Sequence, residues 1–440
     1  MKKTLLALSV AATSFSAVAF EFHGYGRSGL STTGNGEQNC YGNGGDGHFV
    51  GRLGDECDTY VELGLAKDVY NKDGKTFRIE TMWSSDIGNQ GNDYQGHNAN
   101  NDPWGGGDWA LRQFNVQATG VLEFAPEATL WAGKRYYQRK DVHFLDFYYL
   151  NNSGYGVGVE HIDMGPGKLS VAWTNNDTIS EVSQKNPHDT EGSILKDQIQ
   201  SNKIDVRYAG IPLWGDTKLE LVGIYGFADL TNEQEAQGFS DEDGYFVTAE
   251  VTMPFLGGFN KFVGQYAKDS MGNSAWVNHS GQMTWNNYGD DEFGAESSFR
   301  LMSWGVVPLA SNIELGYSAI YQEADVNGDV GYTQKDEDGN TREIIHDTAK
   351  RTSIVARPSY HWNETMATTI EVGYDKVRNF DDESSRDLYK FVVAQEFKAG
   401  SSMFSRPAIR VYAGSFWGDQ AKEIDDDGEI RVGAQVEAWW

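Results

Sequence analysis

The chain has 440 residues, a formal net charge of −28 and a mean hydropathy of −0.54. The excess of acidic residues argues against a nucleic-acid-binding protein, because such proteins carry basic surfaces. The 51 glycines accompany only 9 prolines, so they do not belong to a collagen-like or Pro/Gly-rich disordered segment.

The first residues have the pattern of a cleaved secretory signal. Lys2 and Lys3 precede an apolar stretch over residues 5–12, and Ala17-Val18-Ala19 supplies the small residues that signal peptidase recognises. We therefore expect residues 1–19 to be a signal peptide and residues 20–440 to form one domain. After the signal no apolar run approaches about 18 residues, so the exported chain is predicted either to be soluble or to cross a membrane with β-strands.

Cys40 and Cys57 are the two cysteines of the chain. Export to an oxidising compartment favours one disulfide between them. Acidic runs such as residues 336–339 and 425–429 are interpreted as solvated loops, because they lack the full spacing of a calcium-binding EF-hand.

Several segments alternate between apolar and polar residues with a period of two, which is the period of a β-strand. In the last segment one face carries Ile430, Val432, Ala434, Val436, Ala438 and Trp440, and the other carries Arg431, Gly433, Gln435, Glu437 and Trp439. The pattern recurs at residues 60–65, 218–223 and 369–374.

A soluble β-sandwich would also alternate, but the strongly charged polar face, the chain length and the terminal Trp440 favour a transmembrane antiparallel β-barrel. The length fits about 16–18 strands. Long loops are predicted around residues 86–108, 176–203, 269–297 and 323–349. A barrel of this width has a water-filled interior without a buried core of the usual kind, so we expect loops that fold inward to define the pore.

Three aromatic residues share the predicted lumen face with a charged residue. The pairs are Tyr25 with Arg27, Tyr60 with Glu62, and Trp439 with Glu437. Aromatic rings bind the C–H faces of sugars, and charged groups form strong hydrogen bonds with sugar hydroxyls. The pattern therefore favours a sugar channel over a general diffusion porin, although each aromatic taken alone fits a membrane-interface residue equally well.

The sequence offers little support for an enzyme. It lacks a G-x-S-x-G motif, and the Gly-rich residues 42–47 are not followed by the Lys-Ser/Thr of a phosphate-binding loop. No enzymatic activity, cofactor or metal is expected.

A series of motifs resembles the maltoporin family, in the family's order and over the whole exported chain. They comprise residues 22–29 (FHGYGRSG), 52–57 (RLGDEC) with 59–60, 131–139 (WAGKRYYQR), 141–143, 146–149 (DFYY), 258–262 (GFNKF), 371–375 (EVGYD), 405–411 (SRPAIRV) and 439–440 (WW).

The resemblance implies an 18-stranded homotrimeric barrel in the lipid of the outer membrane, with an inward constriction loop, that conducts maltose and maltodextrins. Matched motif by motif, it implies an aromatic path, called the aromatic slide below, formed by Tyr25, Tyr60, Trp104, Phe259, Trp362 and Trp439. It also implies a set of ionisable and constriction residues, namely Arg27, Arg52, Glu62, Arg112, Arg139, Asp141, Asp146 and Tyr148. Cys40 and Cys57 match the family's disulfide.

Some assignments stay open at this point. Trp104 belongs to a loop that differs from the family's, and Trp109 is the alternative. Trp362 and Arg112 share parity with apolar residues, so each needs a β-bulge or a loop position to face the lumen. A porin for another oligosaccharide such as sucrose is the nearest competing function, and the long acidic loops leave room for a receptor role.

Overall fold

The computed structural model describes residues 20–34, 49–86, 109–184, 193–239, 241–278, 295–326, 330–331, 333–335, 341–424 and 427–440. Within these residues, eighteen strands form one closed antiparallel sheet. They are β1 (Glu21–Thr32), β2 (Thr59–Lys72), β3 (Lys75–Asp86), β4 (Trp109–Thr119), β5 (Thr129–Arg135), β8 (Gly154–Asp163), β9 (Lys168–Gln184), β10 (Ser193–Pro212), β11 (Lys218–Asp229), β12 (Gly244–Phe255), β13 (Gly258–Asp269), β14 (Ala295–Ala310), β15 (Ile313–Val326), β18 (Thr348–His361), β19 (Met366–Arg378), β20 (Arg386–Lys398), β21 (Ala408–Trp417) and β22 (Ile430–Trp439).

Two short hairpins and a few helical turns complete the described elements. The hairpins are β6 (Lys140–Val142) with β7 (Phe147–Leu150), and β16 (Thr333–Lys335) with β17 (Thr341–Glu343). The helical elements are α1 (Asn232–Gln237), α2 (Asp419–Glu423) and the 3-10 turns His143–Leu145 and Gly272–Ala275. In the part of the chain that is described, no helix has the length and apolar character needed to cross a membrane.

Each barrel strand pairs with its neighbours in chain order, and the first strand pairs with the last. In the closing ladder, Tyr25 on β1 is the register partner of Trp439 on β22. The backbone N–H of Trp440 donates to the carbonyl of Gly24 at 3.2 Å, and the N–H of Gly24 donates to the carbonyl of Trp440 at 3.1 Å. Closure removes the free sheet edges that an open sheet would leave unpaired, and it confirms the predicted barrel.

Short and long connections alternate around the barrel. At the end of the barrel where β1 begins and β22 ends, the turns are short, as at residues 73–74 and 256–257. Asp73 and Gly74 have φ values of 53° and 74°, the left-handed pair that a two-residue turn between twisted strands requires. The opposite end carries the long connections, among them residues 33–58 and 136–153.

Burial along β22 is the reverse of that in a soluble protein. Arg431 and Glu437 face the interior and are 2% and 1% exposed, whereas Ile430 and Val432 face outward and are 70% and 50% exposed. An apolar outer face and a polar inner face suit a barrel surrounded by lipid. The alternation predicted for this segment is confirmed.

The predicted inward fold of a loop is found at residues 136–153, whose β6–β7 hairpin lies inside the barrel; we call residues 140–150 the inward segment. Its apolar side chains pack against one side of the lumen, and this packing forms the largest apolar cluster among the described residues. From the inward segment the cluster takes Val142, Phe144, Leu145, Phe147, Tyr149 and Leu150.

The strands that contact the inward segment present apolar residues to the lumen. We call these residues the covered wall: Ile199, Val222, Ile224, Phe246, Val263, Ala267, Met302, Ile320 and Val355. The expectation of a barrel without a buried core was therefore wrong for this side of the barrel. The inward segment excludes water from these strands, so apolar side chains gain from burial on their inner face as well as their outer one.

The prediction of a loop over residues 176–203 was largely wrong. β9 continues to Gln184 and β10 begins at Ser193, and the two pair through this region. The segment carries polar residues at both parities, so the period of two by which a strand is recognised is missing from its sequence.

Candidate functional site

Tyr25, Tyr60 and Trp439 lie next to one another on the lumen side of the barrel closure. The rings of Tyr25 and Tyr60 are centred 6.1 Å apart, and Tyr25 faces Trp439 across the β1–β22 ladder. All three side chains are half-buried. Register partners point to the same face of a sheet, so alternation and closure together are enough to place Tyr25 beside Trp439.

The Arg27 guanidinium binds three carboxylates beside these rings. It donates to Asp58 at 2.7 Å, to Glu56 at 2.9 Å and to Asp146 at 3.0 Å. Its Cζ lies 5.5 Å from the centre of the Tyr60 ring. Three separate parts of the chain therefore meet at one cation: β1, the connection before β2, and the inward segment.

Arg52 reaches the same region from the connection before β2. It donates to the Tyr25 hydroxyl at 2.7 Å and to the carbonyl of His143 at 3.2 Å, and it pairs with Glu56 at 2.5 Å. Glu56 and Asp58 were missed in the sequence. Glu56 lies in the quoted motif 52–57, and Asp58 lies between that motif and Thr59. No local pattern in the sequence predicts that this connection turns into the barrel.

Glu62 accepts hydrogen bonds from two tyrosines. The hydroxyl of Tyr60 donates at 2.7 Å and that of Tyr136 at 3.0 Å. Burial raises the pKa of Tyr136 to about 12, so its hydroxyl remains a donor at neutral pH. Tyr136 is a third residue that sequence reasoning did not select, although it lies within the 131–139 motif.

Two arginines stack on the Tyr136 ring. The Cζ of Arg139 lies 3.5 Å from the ring centre and 4.9 Å from that of Tyr148, and the Cζ of Arg112 lies 5.4 Å from Tyr136. A guanidinium on an aromatic face keeps its N–H donors free at its rim. The predicted ionisable residues Arg112 and Arg139 and the predicted constriction residue Tyr148 thus lie together around Tyr136.

A β-bulge solves the parity problem at Arg112. In the β3–β4 ladder Met82 pairs with Gln113 and Trp83 pairs with Leu111, so Arg112 has no partner of its own. The extra residue re-aims the side chain, and Arg112 reaches Tyr136 although Phe114 two residues later faces outward. Of the two possibilities that the sequence left open for Arg112, a bulge or a loop position, the structure has the bulge.

Asp141 and His143 lie in the inward segment. Asp141 is the register partner of Tyr148 in the β6–β7 hairpin. Burial raises the pKa of Asp141 above its ordinary value, although His143 acts in the opposite direction. Burial lowers the pKa of His143, with the neighbouring Glu437 opposing the shift. Both shifts favour the neutral forms of these two side chains.

Phe259 lies on β13, away from the barrel closure. Its ring meets that of Trp304 edge-on, with the centres 5.3 Å apart, and the Nζ of Lys261 lies 5.6 Å from the Trp304 ring centre. Trp304 is buried, with 6% exposure, and packs against the Phe259 ring. The structure thus gives Phe259 an aromatic neighbour that the motif analysis did not identify.

Trp362 does not join either group. It follows the last residue of β18 and is 58% exposed. Its ring packs against Tyr360, with the centres 4.7 Å apart, and its Nε1 donates to the Thr368 hydroxyl at 2.9 Å. Both neighbours lie at outward-facing positions of their strands. A role for Trp362 in an aromatic path stays a prediction.

Two of the remaining predicted residues lie outside the described part of the chain, and the other two lie within it. Trp104 and Cys40 lie outside the described residues. Trp109, the alternative to Trp104, begins β4 on its outward face and is 55% exposed. Cys57 is buried, with 1% exposure.

The geometry describes a lumen surface with ring faces and charge-assisted donors and acceptors side by side. We call its inward-facing barrel residues the open wall: Tyr25, Arg27, Tyr60, Glu62, Arg112, Glu437 and Trp439. Such a surface suits a solute that has apolar faces and a rim of hydroxyls. Repeated weak contacts of this kind allow a solute to bind and then move on.

The sequence profile of the LamB porin family matches residues 20–440. The chain belongs to the LamB porin family. A protein described as a maltoporin, from Hahella chejuensis, is 40% identical over 439 residues, which cover 99% of this chain and 96% of that protein.

Two solved structures of outer-membrane proteins are distant from this LamB porin. Salmonella typhi OmpF in complex with daunomycin is 11% identical, covers 96% of this chain and 97% of its own, and has a TM-score of 0.45. The trimer form of Vibrio cholerae OmpT is 9% identical, covers 96% and 99%, and has a TM-score of 0.40. Superpositions this loose support no argument about the lumen.

Family membership and the closed barrel together fix the class of this protein. It is a channel-forming β-barrel that crosses the outer membrane many times, and it is not an enzyme. The predictions of fold, family and location are confirmed.

Proposed function

We propose that this LamB porin lets maltose and maltodextrins diffuse down their gradient across the outer membrane, without covalent chemistry or a cofactor. The observation that carries the proposal is the grouping of Tyr25, Tyr60 and Trp439 beside paired charges on the open wall. The maltoporin of Hahella chejuensis, at 40% identity, supports the choice of sugar.

The proposed path is an aromatic slide with charged residues along its side. Tyr25, Tyr60 and Trp439 form its middle, and Phe259 continues it on β13. The resemblance adds Trp104, contributed by a neighbouring subunit, and Trp362. The sugar's ring faces would lie on the aromatic rings while its hydroxyls exchange hydrogen bonds with Arg27, Arg52, Glu62, Arg112, Arg139, Asp141 and Asp146, and Tyr148 narrows the passage.

The decisive experiment is sugar block of single-channel current in planar bilayers. Maltotriose, maltohexaose and sucrose are added to one preparation of the purified protein. We expect maltohexaose to block at the lowest concentration, because it spans more of the aromatic path, and sucrose to block weakly. Current that maltodextrins fail to block would overturn the proposal, and stronger block by sucrose would point to the alternative sugar.

We also propose the processing and assembly that the resemblance implies. Residues 1–19 would be removed, Cys40 would pair with Cys57, and residues 20–440 would assemble as a homotrimer. Mass spectrometry of the outer-membrane protein, with and without reductant, tests the first two points. Gel migration of unheated against heated samples tests the third.

A further inference from the structure

Glu437 lies in the ladder between β1 and β22 that closes the barrel. It lies on β22, two residues before Trp439, and is the register partner of Arg27 on β1. Its side chain is buried, with 1% of the residue exposed. A buried carboxylate is costly unless its oxygens are satisfied, so its partners indicate what holds it there.

Glu437 binds the hydroxyl of Tyr25. That hydroxyl donates to Oε1 of Glu437 at 3.1 Å and accepts from Nη2 of Arg52 at 2.7 Å. Two hydrogen bonds hold the end of the ring, and both roles of the hydroxyl are in use. Tyr25 therefore presents the face of its ring rather than its polar end.

The same carboxylate binds the two side chains that pack on Trp439. Nε of Arg406 donates to Oε2 at 2.6 Å, and the Cζ of Arg406 lies 4.6 Å from the centre of the Trp439 ring. Nε2 of His143 lies 3.1 Å from Oε1, and the imidazole meets Trp439 at 76° with the ring centres 5.1 Å apart. Arg406 comes from the turn between β20 and β21, and His143 comes from the inward segment.

The network has a further cation that offers a control. Nη1 of Arg410 donates to Oε2 of Glu437 at 3.0 Å, and Nε of Arg410 donates to Oε1 of Glu396 at 2.8 Å. Glu396 is 5% exposed and pairs also with Lys398 at 3.2 Å. Glu437 and Glu396 are thus two buried carboxylates on one arginine, and Glu437 is the one that also holds the aromatic neighbours.

We propose that Glu437 is a positioning residue that fixes the orientation of Tyr25 directly and of Trp439 through Arg406 and His143, and so sets how long a sugar stays on the open wall. This inference rests on the proposed function. Glu437 itself need not touch the sugar. Its carboxylate contacts Tyr25 directly, and it contacts Trp439 through Arg406 and His143.

The test compares Glu437→Gln with Glu396→Gln in the full-length purified porin. Maltohexaose is the probe, and the on-rate and off-rate of block are measured from current fluctuations. For Glu437→Gln we expect the off-rate to rise about ten-fold, which corresponds to the net loss of roughly one hydrogen bond's contribution, with an on-rate within about two-fold of the natural protein. Glu396→Gln should leave both rates close to the natural values.

Each outcome is decisive. If both variants change the rates equally, Glu437 contributes only charge or barrel stability and the inference is wrong. If maltohexaose blocks the natural protein and Glu437→Gln to the same extent, the inference fails while the proposed function stands. If maltohexaose does not block the natural protein, both fail.

A second variant covers the case in which Glu437→Gln does not assemble. Arg406→Lys keeps a cation for Glu437 but removes the planar guanidinium that lies on Trp439. We expect a faster off-rate of maltohexaose with unchanged sugar-free conductance. An unchanged off-rate in Arg406→Lys would overturn the role assigned to the Glu437–Arg406–Trp439 contacts.

Discussion

The covered wall and the open wall lie on opposite parts of one lumen and follow the same alternation, yet their inward residues differ in kind. On the covered wall Phe246 and Ile224 are 0% and 1% exposed and pack beneath the inward segment. On the open wall Tyr25 and Arg27 are half-buried and bind charged partners. The alternation of a strand determines only that a residue faces inward. Whether an apolar or a charged side chain is stable there depends on the residues that it contacts inside the barrel.

The two walls also hold the inward segment differently. Toward the covered wall it presents Phe147, which packs in the same apolar cluster and whose ring lies 4.7 Å from the Cζ of Arg300 on β14. Toward the open wall it presents His143 and Asp146, which bind charged groups. Apolar packing fixes the position of the segment, and the charged contacts align its exposed edge with the aromatic rings.

The largest expected effect comes from loosening the covered wall. Phe147→Ala removes a fully buried ring, which should lower the free energy of unfolding by about 3 kcal/mol or more. It should also raise the sugar-free conductance, because the inward segment is less firmly held. Heat unfolding in detergent and single-channel recording measure the two quantities. Phe262→Ala, on the 51% exposed outer face of β13, is the matched control; equal conductance in both variants would contradict this account of the covered wall.

Truncation on the open wall should affect sugar binding and leave the barrel intact. Tyr60→Ala removes a ring from the aromatic group, and a stacked aromatic contact contributes on the order of 1 kcal/mol, so we expect the half-blocking concentration of maltohexaose to rise about five-fold. Tyr60→Phe keeps the ring and loses only the hydroxyl that donates to Glu62. Its effect should be smaller. The reverse order would mean that the hydrogen bond, and not the ring, dominates at this position.

A pH effect is expected where the connection before β2 enters the barrel. Burial raises the pKa of Asp55 to about 7, although the Nζ of Lys390 lies 2.5 Å from its carboxylate and opposes the shift. The unfolded chain releases this proton near the ordinary value of 3.8. Between these values the folded state binds more protons, so stability present below about pH 4 is lost as the pH rises through about 7.

Asp55→Asn should remove this part of the pH dependence. The midpoint of heat unfolding, measured in detergent from pH 4 to pH 8, should fall less steeply in the variant than in the natural protein. Lys390 keeps Glu371 as a partner at 2.9 Å, so the variant does not strand a buried cation. Asp73→Asn, in the exposed β2–β3 turn, is the control and should keep the natural slope. Identical slopes in all three proteins would refute the assignment to Asp55.

The smallest effect is expected at Trp362. The structure places its ring with Tyr360 and Thr368, away from both aromatic groups of the lumen. Trp362→Ala should therefore raise the half-blocking concentration of maltohexaose less than Trp439→Ala does. An equal or larger rise would show that Trp362 lines the sugar path after all, as the family resemblance implies.

The sequence by itself determined the class of fold and, in the segments that alternate, the direction of the side chains. The alternation in residues 430–440 predicted which residues of β22 face lipid, and parity placed Tyr25, Tyr60 and Trp439 on the inner face. These features are local, because the period of two follows from the strand backbone whatever lies around it. Family motifs then identified residues such as Arg112. Its position depends on a β-bulge, which the alternation of the strand does not predict.

Only the tertiary structure decided which inward residues meet. Arg27 and Asp146 are 119 positions apart in the chain, and Arg52 and Glu437 are farther apart still, yet each pair is in contact inside the barrel. The apolar inner face of the covered wall likewise depends on a segment that folds inward from elsewhere. Burial and ion pairing depend on such distant neighbours, so they could not be predicted from the sequence. The alternation of a strand depends on its own backbone, so it could be predicted.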